Sequence, residues 1–497
     1  MPLPAAARVE AGTGQQLSRE KKIELTDLTL LEQAELLRRT QASSREIVDA
    51  HLARIDRLNG KLHAFIEVYA EEARSLADAA DCARKARLPL GPLHGLPIAL
   101  KDLCDIAGRV GTVGSRMWQA RVAQSTSATV ERLLAAGMIP LGKTHMVEFA
   151  FGGWGANQLM GAPWNPWDLT RQRVPGGSSS GTAVAVAAGL APIGIGSDTG
   201  GSVRIPSAFN GLVGLKVTFG RISLHGTGLL SWTLDTIGPL GRSVDDCAEV
   251  LRALAAPDVR DATTLGQPPL DLPERLEPDR LAQLRIAIPD AGQLPSFMHP
   301  AVLAAWQDTA RRLERLGAGI VPVRLPEWYF ELSGPVGTII ASEAFSLHRN
   351  WIEDPNQPIG DAVRARVLNA RKLAPGEYAE TLRVMAERRR VFGDWFRRFD
   401  ALLLPAVAIP APPLDEIDEN SPIPSYLTRP ANYLGLCGLA MPAGLHEGLP
   451  LGVQIIGKPF AERVVFEIGK ALQEDAGQHK LRPKRAPDGM GGAAHAA

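Results

Sequence analysis

The feature that most constrains this sequence is a run at 174–206, in which two glycine-flanked serine clusters are joined by an alanine-rich segment. The segment from Thr182 to Leu190 contains little except strong helix formers and valine, so it predicts a helix. Glycine lets the backbone take a left-handed conformation and lets a ligand approach the main chain. The pattern therefore predicts two serine-bearing tight turns connected by a short helix.

The second cluster, Gly200-Gly201-Ser202, is a candidate nest of backbone N–H groups around a hydroxyl. An acyl-transfer enzyme needs such donors where negative charge develops on the carbonyl oxygen, and it needs a nucleophile beside them. Gly/Ser turns are also common in ordinary loops. Taken alone, this cluster leaves the catalytic and the structural interpretations open.

A lysine follows the apolar run at 96–100, which predicts a buried strand. Lys101 must therefore be ion-paired, solvated or neutral. If it is neutral, desolvation has lowered its pKa and the amine can act as a base. The alternative is a structural lysine paired with Asp102.

Several motifs together resemble the amidase signature family, from about Leu28 to about Leu472. They are GLPIALKD at 95–102, GKTHMVEFAFG at 142–152, NPWD at 165–168, VPGGSSSG at 174–181, GSDTGGSVRIPSAFNGLVGLKVTFGRIS at 196–223, TIGPLGRSVDD at 236–246 and LPLGVQIIG at 449–457. The resemblance implies an α/β amidase signature fold, with a central mixed, twisted β-sheet covered by helices on both faces.

The resemblance also implies a Ser-cisSer-Lys triad. Ser202 corresponds to the acyl nucleophile, Ser178 to the bridging serine and Lys101 to the base. The separation of Ser178 from Ser202 equals the family's usual spacing, which selects Ser178 over its neighbours. Ser180 stands where many members have glycine.

Further roles are predicted around this triad. The N–H groups predicted to hold the oxyanion belong to Thr199, Gly200, Gly201 and Ser202. Asp198 and Arg204 are predicted to organise that loop. The predicted substrate-binding residues are Gly152, Gly153, Trp154, Ser179, Trp232 and Tyr433. Small and aromatic walls favour an aryl or apolar amide over free glutamine, although the tryptophans could equally be core residues.

The main prediction is a hydrolase that cleaves the C–N bond of a small-molecule amide or carbamate through an acyl-enzyme, with esterase or urethanase side activity. The alternative within the family is the glutaminase A subunit of a tRNA-dependent amidotransferase, which releases ammonia for a partner. That alternative requires companion subunits and a charged pocket for glutamine. Amides, carbamates and esters present the same carbonyl, so the motifs do not choose among them.

Other motifs suggest competing functions. Residues 137–144 match the phosphate-loop pattern GxxxxGK[ST], which would make the chain a nucleotide-binding module. This segment, however, is apolar, follows a predicted helix and contains Pro140, which has no N–H. Residues 177–181 match GxSxG, with Ser179 as an α/β-hydrolase nucleophile. A non-catalytic amidase-like scaffold is the remaining alternative.

Composition limits the partners. The 54 basic and 54 acidic residues give a formal charge of zero, which favours neither nucleic acid nor an anionic membrane as a partner. The histidines and the four cysteines form no metal-binding pattern, and no apolar run reaches 18 residues. We expect no cofactor, no metal, a cytoplasmic location and a monomer or homodimer that acts on a small molecule.

The resemblance also suggests how the chain is divided. We expect a poorly ordered N-terminus at 1–24, an amidase domain at 25–482 and a disordered tail at 483–497. Within the domain, 25–90 is the helical entry and 91–250 is the catalytic core. The remaining sheet, a helical insert and pocket loops are expected at 251–482.

Overall fold

The structure, a computed structural model, describes residues 24–484. The strands are β1 Phe65–Val68, β2 Pro97–Lys101, β3 Ile139–Thr144, β4 Ile193–Ser197, β5 Val213–Lys216, β6 Ile237–Gly241, β7 Arg285–Pro289, β8 Gly319–Val323, β9 Ala401–Pro405, β10 Cys437–His446 and β11 Leu449–Gly457. The helices are α1 Leu30–Arg38, α2 Ser44–Leu62, α3 Ala70–Lys85, α4 Ala128–Ala135, α5 Ser180–Ala187, α6 Arg204–Asn210, α7 Val244–Leu254, α8 Pro300–Arg315, α9 Ser333–Ile352, α10 Asp361–Leu368, α11 Glu377–Phe396, α12 Arg429–Tyr433 and α13 Glu462–Ala476.

All eleven of these strands form one sheet, in the order β1-β3-β2-β4-β6-β5-β10-β11-β9-β7-β8. Its pairs are mixed: β2 runs parallel to β3 and β4, whereas β10 runs antiparallel to β5 and β11. The predicted α/β fold with a central mixed sheet is confirmed.

Helix α5 explains how the serine-rich run folds. Its sequence SGTAVAVA has no polar face, and every residue in it is buried. A helix that is apolar all round is stable only inside a protein. Here α5 packs against β2, β3 and β4 and holds the first serine cluster at its N-terminal end.

The register of two parallel strands brings the predicted lysine to the second serine run. Ala99 pairs with Gly194 and Leu100 with Ile195, so β2 and β4 end side by side. Parallel strands present their carboxyl ends at the same edge of a sheet. Lys101 and Ser197, the last residues of these strands, therefore meet at one edge.

The phosphate-loop interpretation of 137–144 is wrong. Residues 139–144 form the buried strand β3, which pairs with β1 and β2. Lys143 Nζ donates to the Cys104 carbonyl and lies 3.7 Å from an Asp102 oxygen. The backbone of this segment is thus used by the sheet, and its lysine side chain is held by protein groups instead of facing a ligand.

The predicted disordered ends, 1–24 and 483–497, fall almost wholly outside the described residues. The division of 25–482 into helical entry, catalytic core and remaining sheet stays a prediction. Within the described part of the chain, none of the helices is long and apolar enough to cross a bilayer.

Candidate active site

Lys101 lies at the centre of a hydrogen-bonded cluster. Its Nζ donates to Ser178 Oγ at 2.8 Å, to Ser179 Oγ at 3.0 Å and to Ser197 Oγ at 2.8 Å. The side chain is fully buried, and burial lowers the pKa of Lys101 to about 7, although nearby Asp235 opposes the shift. An amine with this pKa is partly neutral near pH 7 and can accept a proton.

Asp102 is not the ion partner of Lys101. Its carboxylate accepts hydrogen bonds from the amide and the hydroxyl of Thr112, and it faces Lys143 across 3.7 Å. Among the described residues, no carboxylate oxygen lies within 4 Å of Lys101 Nζ. The structural alternative, an ion pair between neighbouring residues, is therefore wrong.

Ser178 and Ser179 of the first cluster both contact Lys101, but the two serines are held in different ways. The peptide bond between Gly177 and Ser178 is cis. The Ser179 hydroxyl also accepts a hydrogen bond from the Ser197 amide at 3.2 Å, which ties it to β4. Because Ser179 contacts Lys101 and Ser197 and no histidine among residues 24–484, the α/β-hydrolase interpretation of GxSxG is wrong.

Ser202 lies just before α6 and is 7% exposed. Its carbonyl accepts from the Ser179 amide at 3.4 Å, which joins the two serine turns through the backbone. Within the described chain, the Ser202 and Ser178 hydroxyls are not hydrogen-bonded to each other. Catalytic hydrogen bonds often tighten only when substrate is bound, so the predicted roles of Ser202 and Ser178 stay predictions.

The loop at 199–202 offers fewer free N–H groups than the sequence predicts. The Gly201 amide donates to Asp198 Oδ1 at 2.8 Å, so it is already engaged. The amides of Thr199, Gly200 and Ser202 have no acceptor within the part of the chain that the structure describes. The structure therefore disagrees with Gly201 as an oxyanion donor, and the roles of the other three amides stay predictions.

Asp198 and Arg204 form a fully buried ion pair under this loop, with 3.0 Å between Nη2 and Oδ1. Arg204 also donates to Gln454 and Asn432, so its charge and its donors are satisfied. Burial raises the pKa of Asp198, but the Arg204 guanidinium outweighs it and the pKa falls to about 2. The pair holds the loop backbone through the Gly201 amide.

Replacing Asp198 by alanine is expected to destabilise the fold by about 3–5 kcal/mol, because it leaves a buried guanidinium without its carboxylate. Thermal and urea unfolding would measure the loss. The matched control is Glu380→Ala, which breaks an exposed pair with Arg383 and should cost under about 1 kcal/mol. Equal stability of the two variants would contradict the structural role of the buried pair.

Two residues at this site were missed by the sequence analysis. Ser197 supplies the third hydroxyl on Lys101, and the parallel pairing of two strands that end in polar residues could have indicated it. Asp235 accepts from the Thr199 hydroxyl at 2.5 Å and from the amides of Leu230 and Ser231. Burial raises the pKa of Asp235 to about 6. No local pattern connects it to the loop that it holds.

The residues predicted to line the substrate pocket range from fully buried to exposed. The Gly153 carbonyl accepts from the Gly177 amide at 2.8 Å, so the Gly152–Gly153 turn lies against the first serine turn. Trp154 is buried in an apolar cluster and donates to the Asp418 carbonyl, and Tyr433 is fully buried. Trp232 is 39% exposed. Their contact with substrate stays a prediction.

The residues that the structure describes contain no group of three histidine, cysteine or acidic side chains placed to hold a metal ion. The four cysteines are unpaired; Cys82 is exposed and the others are buried.

A sequence profile of the family described as "Amidase" matches residues 46–466. The chain belongs to the amidase family. The A subunit of a glutamyl-tRNA(Gln) amidotransferase from Symbiobacterium thermophilum is 37% identical over 477 residues, which cover 90% of this chain and 97% of that relative.

Solved structures agree with this family. The A subunit of the glutamyl-tRNA(Gln) amidotransferase of Thermotoga maritima has a TM-score of 0.78 and 28% identity, over 93% of this chain and 98% of its own. A chain described in a vestigial protein complex, in connection with the origins of an s-triazine catabolic enzyme, has a TM-score of 0.83 and 32% identity over 92% of this chain and 100% of its own. This chain is a hydrolase of the amidase family that acts on amide C–N bonds.

The comparisons correct two predictions. The main prediction, an amidase for small aryl or apolar amides or carbamates, is wrong, because high-coverage relatives are named as amidotransferase A subunits. The predicted partners, a small molecule alone with a monomer or homodimer, are wrong for the same reason. The motifs encode chemistry at a carbonyl, which both kinds of protein share, so they did not separate the two.

Proposed function

We propose that this chain is the glutaminase A subunit of a tRNA-dependent amidotransferase, with Ser202, Ser178 and Lys101 as its catalytic triad. The observation that carries the hydrolytic part is the buried Lys101, whose amine contacts Ser178 Oγ at 2.8 Å. The subunit role is supported by the names of the relatives that match most of the chain.

The acylation half of the reaction uses both serines as proton carriers. Neutral Lys101 takes a proton from Ser178, which takes one from Ser202, and Ser202 Oγ attacks the carboxamide carbon of glutamine. The carbonyl oxygen becomes an oxyanion, which the free amides of Thr199, Gly200 and Ser202 stabilise. When the C–N bond breaks, the nitrogen receives a proton from Ser178, which is re-protonated by Lys101, and ammonia leaves.

Water completes the cycle by the same groups. It attacks the Ser202 ester while its proton passes through Ser178 to Lys101. The C–O bond to Ser202 then breaks, Ser202 recovers its proton through the same path, and glutamate is released. The net reaction is glutamine and water giving glutamate and ammonia, which the amidotransferase would pass to its transfer site.

A charged group beside the catalytic loop supports glutamine as the substrate. A side chain built on Gly200 would meet Arg429 Cγ at 3.4 Å, so the arginine lies across the loop. Its Nη1 donates to the Ser333 hydroxyl and carbonyl, and its Nε has no acceptor among the described residues. Burial, with Arg366 nearby, lowers the pKa of Arg429 to about 10, so the group stays cationic at neutral pH.

Arg429 has no carboxylate within ion-pairing distance in the described part of the chain. A partly buried guanidinium without a counter-ion is well suited to pair with a substrate carboxylate. Glutamine carries one at the far end from its carboxamide. We therefore propose that Arg429 binds the α-carboxylate of glutamine while Ser202 attacks the other end.

Replacing Arg429 by glutamine is expected to raise KM for glutamine about 10-fold to 100-fold with a small change in kcat, because it removes a charge-assisted contact remote from the reacting carbon. Steady-state kinetics on glutamine and on butyramide, an amide without a carboxylate, would measure the effect. Arg429→Lys keeps the charge and should lose less. Equal losses on both substrates would show that Arg429 only supports the fold.

The subunit role is tested by purifying the tagged chain from its native cells. We expect companion proteins to co-purify, and the assembly to release glutamate from glutamine and to transfer the nitrogen to glutamyl-tRNA. A chain that purifies alone and leaves glutamine intact while it hydrolyses simple amides would overturn the proposal.

Three finer predictions belong to this proposal. We propose that the bond that the enzyme cleaves is a linear amide, because the carboxamide of glutamine is one. Esterase and urethanase side activity, and a cytoplasmic location, are proposed as well. Ester and carbamate analogues in the same assay, and fractionation of native cells, would test them.

A further inference from the structure

A cleft that is separate from the candidate active site lies beyond the C-terminal end of α5, away from the serine turns. Its walls include the apolar side chains of Leu58, Leu62 and Leu169, and its volume is about 70 Å³. Its charged lining consists of the acidic Asp27 and the basic residues Arg54, Arg57, Lys61, Arg242, Arg482 and Lys484. A cavity of this size holds several water molecules or one small ligand.

Arg242 carries a buried charge at this cleft. It is 3% exposed, and its guanidinium donates to the carbonyls of Thr26 and Leu28. Its Nε is buried and has no acceptor within the described part of the chain. No carboxylate there lies within ion-pairing distance of Arg242, so its direct partners are carbonyl groups, with the Asp246 and Asp27 charges farther away.

Arg482 is a second arginine of the cleft whose guanidinium is bound to carbonyl groups. Its guanidinium donates to the carbonyls of Asp27, His479 and Leu481, and its Nε also lacks an acceptor among the residues described. Burial lowers the pKa of Arg242 to about 10, and the Arg482 charge adds to the shift. Two guanidinium groups thus share the cleft, each with a donor unused.

The acidic groups near these arginines, Asp27 and Asp246, both have other partners. Asp27 pairs with Arg54 at 3.3 Å. Asp246 accepts from the amides of Leu30 and Leu31 at 3.2 and 3.0 Å. A buried charge is costly unless it is paired, and the six basic residues of the lining against the one acidic residue leave the cleft with an excess of positive charge.

We propose that this cleft binds a small amphipathic anion, in which a carboxylate or phosphate group is attached to a short apolar body. The anion would accept from Arg242 and Arg482, and the apolar body would lie against Leu58, Leu62 and Leu169. Arginine forks match the geometry of both oxyanions, so the two chemical sources share one mode of recognition.

The cleft is separate from the triad. Ser178 precedes the first residue of α5, whereas the cleft is lined by Ala187, Ala188 and Gly189 at its other end. Eight helical residues span about 12 Å. The ligand is therefore a different molecule from the amide substrate, and its binding does not depend on the function proposed above.

Isothermal titration calorimetry on the full chain tests the site with four probes: benzoate, phenyl phosphate, inorganic phosphate and benzyl alcohol. We expect benzoate or phenyl phosphate to bind at least about tenfold more tightly than inorganic phosphate and benzyl alcohol, because only the first two satisfy both parts of the cleft. The tighter of the two identifies the anion source. Ser202→Ala should bind as the wild type does.

Three variants decide whether the cleft itself is the site. Arg482→Gln should weaken binding about tenfold or more, and Leu58→Glu, which adds a negative charge to the apolar wall, should abolish it. Leu58→Gln is the matched control of the same size and should keep affinity within about threefold. Unchanged affinity in Arg482→Gln and Leu58→Glu, with unchanged melting temperatures, would overturn the proposal, as would no binding of either amphipathic anion.

Discussion

Replacing Ser202 by alanine is expected to lower glutamine turnover by about 10⁴-fold or more, because no acyl-enzyme can form without its oxygen. The residual rate would come from substrate binding and the oxyanion donors alone. The fold should be retained, since the Ser202 hydroxyl makes no side-chain hydrogen bond in the described chain. Ammonia release and thermal unfolding would be measured on the same preparation.

Ser180→Ala is the matched control for Ser202→Ala. Ser180 lies on the first serine turn and is fully buried, and its hydroxyl has no partner in the described part of the chain. Its removal should therefore change turnover by less than about threefold. Covalent labelling by a fluorophosphonate should be lost in Ser202→Ala and kept in Ser180→Ala. Labelling that persists in Ser202→Ala would disprove the assignment of the nucleophile.

Replacing Lys101 by methionine is expected to lower turnover by about 10³-fold or more, because members of a catalytic triad act as a unit. Methionine keeps a long side chain in the buried site but cannot accept a proton. It also cannot donate to the three serine hydroxyls that Lys101 Nζ contacts, so the melting temperature should fall modestly while the enzyme stays folded. Stopped assays at saturating glutamine would measure the residual rate.

The pH dependence gives an independent test of Lys101. Burial lowers its pKa to about 7, so the amine is charged below that pH and neutral above it. We expect kcat/KM of the wild type to rise through pH 7 and then level off, because only the neutral amine is a base. Lys101→Met should lose this limb, and Lys101→Arg should be inactive across the range. A Lys101→Met enzyme with substantial activity and the same limb would assign the titration to another group.

The parts of the site that local sequence predicts are those built from contiguous segments. The alanine-rich α5, the apolar β2 with its terminal lysine and the glycine-bearing turn at Ser202 were all predicted, although α5 spans Ser180–Ala187 instead of Thr182 to Leu190. Strand β3 could have been mistaken for a phosphate loop, because glycine and lysine spacing does not reveal that its amides are paired in a sheet.

The parts that sequence did not predict depend on segments far apart in the chain. Arg429 lies beside Gly200, and the residue before it, Thr428, donates its hydroxyl to the Gly200 carbonyl at 2.6 Å across 228 residues of sequence. The engagement of the Gly201 amide depends on the direction of the Asp198 side chain, which no residue pattern specifies. The aromatic residues on which the substrate prediction relied are visible in the sequence, whereas the position of the Arg429 guanidinium beside the loop is not.

The pairing of β2 with β4 has a consequence for the way this enzyme tolerates change. Successive side chains of a strand point to opposite faces, so a slip of a single residue would turn Lys101 away from all three hydroxyls. Proton transfer therefore depends on the hydrogen bonds of a buried sheet, not on a mobile loop. A mutation that disturbs the sheet without unfolding the chain would therefore lower catalytic activity before it lowers stability.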